Sequence, residues 1–232
     1  MDKTLIIIPA FNEEKSIGTV IGKIRQASPA MDVLVVSDGS TDNTVGISRG
    51  LGADVISHAF NLGYGGALQS GFRFALKKNY DTVITMDADG QHDPAYIEAL
   101  LAARAEYNAN VVIGTRFIGG QYKAGILKSV GIYIFSTIIR LYTGKRITDP
   151  TSGFQLLDKA VFSYLSYGDN FPLDYPDANM IMLLHKKKFT IVETPVKMAT
   201  RADGVSMHSG IKPLIYMVRM FLAIIMVILR KD

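Results

Sequence analysis

LIIIPAFNEEKSIGTVIGKIRQASPAMDVLVV, residues 5–36, decides how this chain folds. Residues 5–8 and 33–36 are apolar at every position rather than at every second one, which marks strands covered on both faces, as in a parallel sheet. Between them Ile17, Val20, Ile21 and Ile24 fall at i, i+3, i+4 and i+7, one face of a helix. The same alternation runs outward, with strands predicted at 55–56, 83–86 and 111–113 and helices at 65–78 and 94–107. The second of these helices opens with Asp93 as cap and Pro94 at its first position. Repeated strand–helix units predict right-handed crossovers and an open α/β sheet that binds ligands at the carboxyl ends of its strands.

Beyond Thr115 the pattern changes. Residues 129–139 carry no charge, 148–153 are rich in turn formers, and a helix at 178–187 and a strand at 190–196 follow. Residues 220–229 are ten consecutive apolar positions, half of the roughly 20 needed to span a bilayer, so an interfacial helix is expected there rather than a crossing one. The 232 residues carry a net charge of +4, and five basic against two acidic residues between 201 and 232 supply most of it. The rest is nearly neutral, which excludes a nucleic-acid-binding surface spread over the domain. With no Cys, disulfides, zinc fingers, iron–sulfur clusters and thiol nucleophiles are excluded as well. The chain opens on a strand-like run, so no secretory signal peptide is expected. Its mean hydropathy of +0.20, with 48% hydrophobic and 20% charged residues, is high for a surface wholly in water. One domain at 1–207 and a basic, apolar tail at 208–232 account for that excess if the tail meets lipid.

The residues after the strands carry the chemistry. Pro9-Ala10-Phe11-Asn12-Glu13-Glu14 reads locally as a helix start with Asn12 as cap. Ser37-Asp38-Gly39-Ser40-Thr41-Asp42 places a carboxylate where a base or ribose can donate to it. Asn61-Leu62-Gly63-Tyr64-Gly65-Gly66-Ala67 is a glycine-rich helix entry, but neither G-x-G-x-x-G nor a P-loop, so dinucleotide oxidoreductases and P-loop NTPases lose their main support. In Asp87-Ala88-Asp89-Gly90-Gln91-His92 two carboxylates two residues apart suit a hard divalent cation holding phosphates, and the glycine position rules out an EF-hand. Arg116 at the rim can meet a phosphate. His58, His92, His185 and His208 have no metal-ligand spacing and receive no chemistry.

Together with Gly114-Thr115-Arg116-Phe117, Asp149-Pro150-Thr151-Ser152-Gly153-Phe154 and Arg201-Ala202-Asp203-Gly204-Val205-Ser206, these motifs resemble the family 2 inverting glycosyltransferases of the GT-A fold. Within that family they most resemble the polyprenyl-phosphate sugar transferases, the dolichyl-phosphate mannosyltransferase group and its undecaprenyl-phosphate relatives. The resemblance spans about residues 4–207 in order and implies a mostly parallel, Rossmann-like sheet flanked by helices, followed by an amphipathic helix at the membrane interface. It implies that Pro9, Phe11, Asn12, Glu13 and Asp38 hold the nucleoside, and that Asp87 and Ala88 lie on the ribose and sugar side; Gly63, in the glycine-rich loop, is expected as a further nucleotide-sugar contact. Asp89 and Gln91 would coordinate Mg²⁺ or Mn²⁺ on the diphosphate. Arg116 matches the arginine for the acceptor phosphate, and Arg201 with Ser206 matches a segment closing over the diphosphate. Lys128 stands where an arginine is frequent, which keeps the charge without the bidentate fork. Met207-His208 stands where a lysine often follows.

The expected reaction is transfer of a sugar from a nucleotide sugar, UDP-linked (UDP-GlcNAc or UDP-glucose, for example), to undecaprenyl or another polyprenyl phosphate, for cell-envelope polysaccharide or glycan modification. The expected place is the cytoplasmic face of the membrane, with a separate small membrane subunit or a second copy completing the site. Asp149 is open among three roles: base, acceptor positioning, or a cap in its own turn. Two alternatives stand beside this reading: a saccharide hydroxyl acceptor with Asp149 as base, and a non-catalytic nucleotide-sugar-binding subunit.

Overall fold

A computed structural model describes residues 2–118, 126–172, 176–199 and 212–229. The amino-terminal half alternates β1 (Thr4–Ala10), α1 (Ile17–Ala27), β2 (Asp32–Ser37), α2 (Thr44–Gly50), β3 (Asp54–Ser57) and α3 (Tyr64–Lys77), then β4 (Thr82–Thr85), α4 (Ile97–Tyr107) and β5 (Val111–Thr115). The remainder is α5 (Ile126–Thr143), β6 (Gln155–Asp158), α6 (Lys159–Ser166), α7 (Ala178–Lys186), β7 (Ile191–Pro195) and α8 (Lys212–Leu229). A 3₁₀ turn at Pro94–Tyr96 precedes α4, its first N–H groups served by Asp93, whose carboxylate accepts from Ala95 N at 3.0 Å.

The seven strands form one sheet in the order β3-β2-β1-β4-β6-β5-β7. All neighbours pair in parallel except β6, which is antiparallel to both β4 and β5. The six other strands therefore point the same way and end on one edge. Since β6 runs in reverse, its amino end, and with it the 148–154 turn, lies on that same edge. β2 and β4 flank β1 on opposite sides, so the strand order reverses there, the place where open α/β sheets bind ligands.

The unbroken apolar runs are explained by burial on both faces. Leu5 and Ile7 join the core beneath α3, α6 and α7, whereas Ile6 and Ile8 join the core beneath α1 and α4. The helical stripe of Ile17, Val20, Ile21 and Ile24 is buried throughout. Three elements escaped the sequence pattern: α2, with two glycines in seven residues, and the short pair β6 and α6.

The carboxyl-terminal helix is integrated into this core. Helix α7 packs against both α5 and α8, and Met220 and Ile224 of α8 are buried with Phe135 and Ile139 of α5 in the same cluster. The outer faces of α5 and α8 carry large exposed apolar side chains, Tyr133 and Leu141 on α5 and Phe221, Leu222, Met226 and Leu229 on α8, beside the exposed Arg140 and Arg219. Between the two helices lies a wholly apolar cleft of about 280 Å³, bounded by Ile134, Phe135, Met217, Phe221 and Leu222. Among the described residues no helix is long and apolar enough to cross a membrane.

Candidate active site

The loops after β1 and β2 are knitted together. Asn12 does not cap α1: it sits at φ 55°, its N–H donates to Ser40 Oγ at 3.1 Å, and its Oδ1 accepts from Thr41 N at 2.8 Å. The α1 cap position falls on Ser16, four residues later, because Asn12 is engaged across the edge. Glu13 N donates to Thr44 Oγ1 at 2.9 Å, and Glu14 accepts from Asn43 N at 3.1 Å. Pro9 lies inside β1 opposite Val36, while the Phe11 ring is half exposed at the rim.

Asp38, only 4% exposed, reaches from β2 to the glycine-rich loop. Its carboxylate accepts from Leu62 N and Gly63 N, both at 2.8 Å, and contacts His58 Nδ1 at 2.7 Å. The other nitrogen of His58 is 2.9 Å from Ser70 Oγ on α3. Asp38 therefore shapes the loop that ends at Gly63. Gly39, at φ 73°, allows the loops to meet, since a Cβ there would fall 2.7 Å from Asn61 N and 2.8 Å from the carbonyl carbon of Phe60.

After β4, Asp87 occupies the centre of the edge. Tyr64 Oη donates to Asp87 Oδ1 at 3.1 Å, and His92 Nε2 lies 3.6 Å from Oδ2. His92 is anchored in turn: its Nδ1 accepts from Asp87 N at 3.0 Å, and its ring stacks on Phe154 with centroids 5.2 Å apart. Burial, then the charges of Asp87, Asp177 and Asp89, push the Tyr64 phenol well above its ordinary pKa. Asp177, just before α7, thus belongs to the same acidic region. Asp89 accepts from Gln91 N at 3.0 Å, and Gln91 O accepts from Ala199 N at 2.9 Å, so the segment leaving β7 lies against this loop.

The third group is a buried ion pair. Arg116 Nε donates to Asp149 Oδ2 at 2.7 Å and Nη2 donates to Oδ1 at 3.1 Å, with Asp149 0% and Arg116 8% exposed. Glu193 of β7 holds the turn from below, accepting from Thr148 N at 2.8 Å, Asp149 N at 2.8 Å and Thr148 Oγ1 at 3.0 Å. Burial raises the Glu193 pKa, and those donors offset part of the rise.

The sheet edge gathers Pro9, Phe11, Asn12, Glu13, Asp38, Gly63, Asp87, Ala88, Asp89, Gln91, Arg116 and Asp149. It links Asp38 to Gly63, Asp89 to Gln91 and Arg116 to Asp149 directly. Arg201, Ser206 and the side chain of Lys128 lie outside the described residues. His58, Tyr64, His92 and Glu193 went unassigned from sequence. Glu193 did leave a signal, a carboxylate in a strand otherwise due for burial.

Among the described residues no group of three or more His, Asp or Glu is arranged to hold a metal ion. The oxygen donors of Asp89 and Gln91 nonetheless fit Mg²⁺ or Mn²⁺, because such ions are commonly held by one or two carboxylates together with substrate phosphates.

Comparison with known proteins agrees with this architecture. A family model, "Glycosyl transferase family 2", matches residues 5–165. Polyprenol monophosphomannose synthase of Mycolicibacterium smegmatis is 30% identical over 226 residues, covering 90% of this chain and 82% of that protein. The UDP-N-acetylglucosamine–dolichyl-phosphate N-acetylglucosaminyltransferase of Methanococcus voltae is 29% identical, covering 89% of this chain and 91% of that one. In structure, glucosyl-3-phosphoglycerate synthase of Mycobacterium tuberculosis, solved with Mn²⁺, UDP and phosphoglyceric acid, superposes with a TM-score of 0.74 at 18% identity. That alignment covers 100% of this chain and 80% of that one, and it supports the GT-A fold. From the family match and the relatives aligned along nine-tenths of its length, the chain belongs to glycosyl transferase family 2.

Proposed function

We propose that this glycosyltransferase moves a sugar from a UDP-linked donor to a polyprenyl phosphate at a membrane surface, with inversion at the anomeric carbon. The observation that carries the choice of acceptor is the closed Arg116–Asp149 pair. A hydroxyl acceptor needs a carboxylate to take its proton, and both oxygens of the fully buried Asp149 are on the guanidinium. A phosphate monoester, with a second pKa of about 6, is already largely dianionic at pH 7 and attacks without such a base. In this reading Asp149 orients Arg116 for the acceptor phosphate, and Lys128 supplies a second cation for it.

On the donor side, Pro9, Phe11, Asn12, Glu13 and the Asp38-shaped loop at Gly63 hold the nucleoside, and Asp87 and Ala88 face the ribose and sugar. Arg201 and Ser206 bind the diphosphate and stabilise its charge as it leaves. Asp89 and Gln91 would hold the divalent ion, which when bound would supply further neutralisation of that charge. The apolar cleft and exposed faces of α5 and α8 support a lipid acceptor, since they would settle among headgroups and acyl chains. The names of the relatives, which specify polyprenol and dolichyl-phosphate products or substrates, support it too. Residues 1–207 then perform transfer, and the outer face of α8, within 208–232, meets the cytoplasmic face of the membrane together with that of α5.

The test is UDP release from UDP-GlcNAc or UDP-glucose by the purified chain with Mg²⁺ in phospholipid vesicles. Release that depends on added undecaprenyl phosphate supports the proposal. Nucleotide binding without turnover on that acceptor overturns it.

A further inference from the structure

We propose that Tyr64 is a positioning residue for the donor: its hydroxyl, held against Gly153, fixes the Asp87 carboxylate in the rotamer that receives the nucleotide sugar. Three separate stretches of sequence meet at this point. Tyr64 is the first residue of α3, Asp87 follows β4, and Gly153 belongs to the turn before β6. The Tyr64 hydroxyl lies 3.1 Å from Asp87 Oδ1. A Cβ on Gly153 would lie 2.8 Å from that hydroxyl, 3.0 Å from Oδ1 and 3.2 Å from Oδ2. No side chain other than hydrogen fits there without moving the pair. His92, locked by its stack on Phe154, faces the second carboxylate oxygen. Asp87 is therefore bounded on three sides.

The protonation state of the phenol suits the role. Burial and the nearby carboxylates of Asp87, Asp177 and Asp89 keep the proton on Tyr64, so it acts toward Asp87 as a donor. The contact also joins the two ends of the donor site. Asp38 holds Gly63 N at 2.8 Å, and the next residue in the chain holds Asp87. The glycine-rich loop thus brackets a carboxylate from β2 and one from β4, setting their spacing as a unit.

This inference rests on the reading of Asp87 as a donor contact, and the test separates the two. Tyr64→Phe keeps the ring in its packing and removes only the hydroxyl. Calorimetric titration of the full chain with UDP-GlcNAc, UDP-glucose and UDP in Mg²⁺ should show about tenfold weaker binding of at least one of the two sugar nucleotides, from loss of a hydrogen bond to a charged group. The KM for undecaprenyl phosphate should stay within about twofold, a split that general loosening of the fold would not produce. Gly153→Ala should weaken the same ligand with Tyr64 intact. If Asp87→Asn weakens the donor and Tyr64→Phe does not, the role of Tyr64 is refuted while Asp87 stands. If Asp87→Asn leaves donor binding unchanged, Asp87 is not a donor contact and the inference falls with it. Equal losses for donor and acceptor in Tyr64→Phe would also refute it.

Discussion

Arg116, Asp149 and Glu193 show how a site is held by groups that sequence spacing cannot pair. The Arg116–Asp149 contact joins residues 33 apart, and Glu193 reaches the same turn from 44 residues beyond Asp149. Removing one partner of a buried pair leaves the other charge without compensation. Asp149→Ala should therefore lower unfolding stability by about 3–5 kcal/mol in urea titrations. Glu193→Gln replaces one acceptor oxygen by a donor facing Thr148 N, and a cost of about 1–3 kcal/mol is expected from the same measurement. The two effects should fall short of additive in the double variant, because both act on one turn. The positions of Asp38 and of the 87–91 loop on the edge were legible because they come just after strands whose apolar runs announce their ends. His58, Tyr64 and Glu193 were not, since what matters about them is the residue they touch across the fold.

At the scale of elements, the reversed strand β6 is what brings the 148–154 turn to the edge where the other strands end. It is four residues long with two apolar positions, too little for a periodicity to register. Parallel strands such as β1 and β2 were legible for the opposite reason, because burial on both faces writes an unbroken apolar run. Helix α8 was legible as a helix too short in apolar residues to span a bilayer, but its inner face was not separable from its outer one within ten consecutive apolar residues. The structure separates them. Ile224→Ala on the inner face should cost about 2–5 kcal/mol of stability, by thermal or urea unfolding. Met226→Asp, at a position 71% exposed, should leave stability within about 0.5 kcal/mol and reduce sedimentation with anionic vesicles. Unchanged vesicle binding by Met226→Asp would show that this face does not meet lipid.

For the whole molecule, the high mean hydropathy divides between a core on both sides of the sheet and an apolar surface on α5 and α8. The membrane contact proposed above would account for the second part. Turnover should also require a divalent ion at Asp89 and Gln91. Chelation should abolish turnover, Mg²⁺ or Mn²⁺ should restore it, and Asp89→Ala should lower kcat by at least about 100-fold; an unaffected rate in that variant would remove Asp89 from the site. The central claim, a lipid phosphate as acceptor, is tested most directly by following radiolabel from the UDP-sugar in vesicles containing undecaprenyl phosphate. Label should appear in an organic-extractable product that mild acid releases, formed by the wild-type chain and lost in Arg116→Ala. Label appearing only in water-soluble glycan would contradict it.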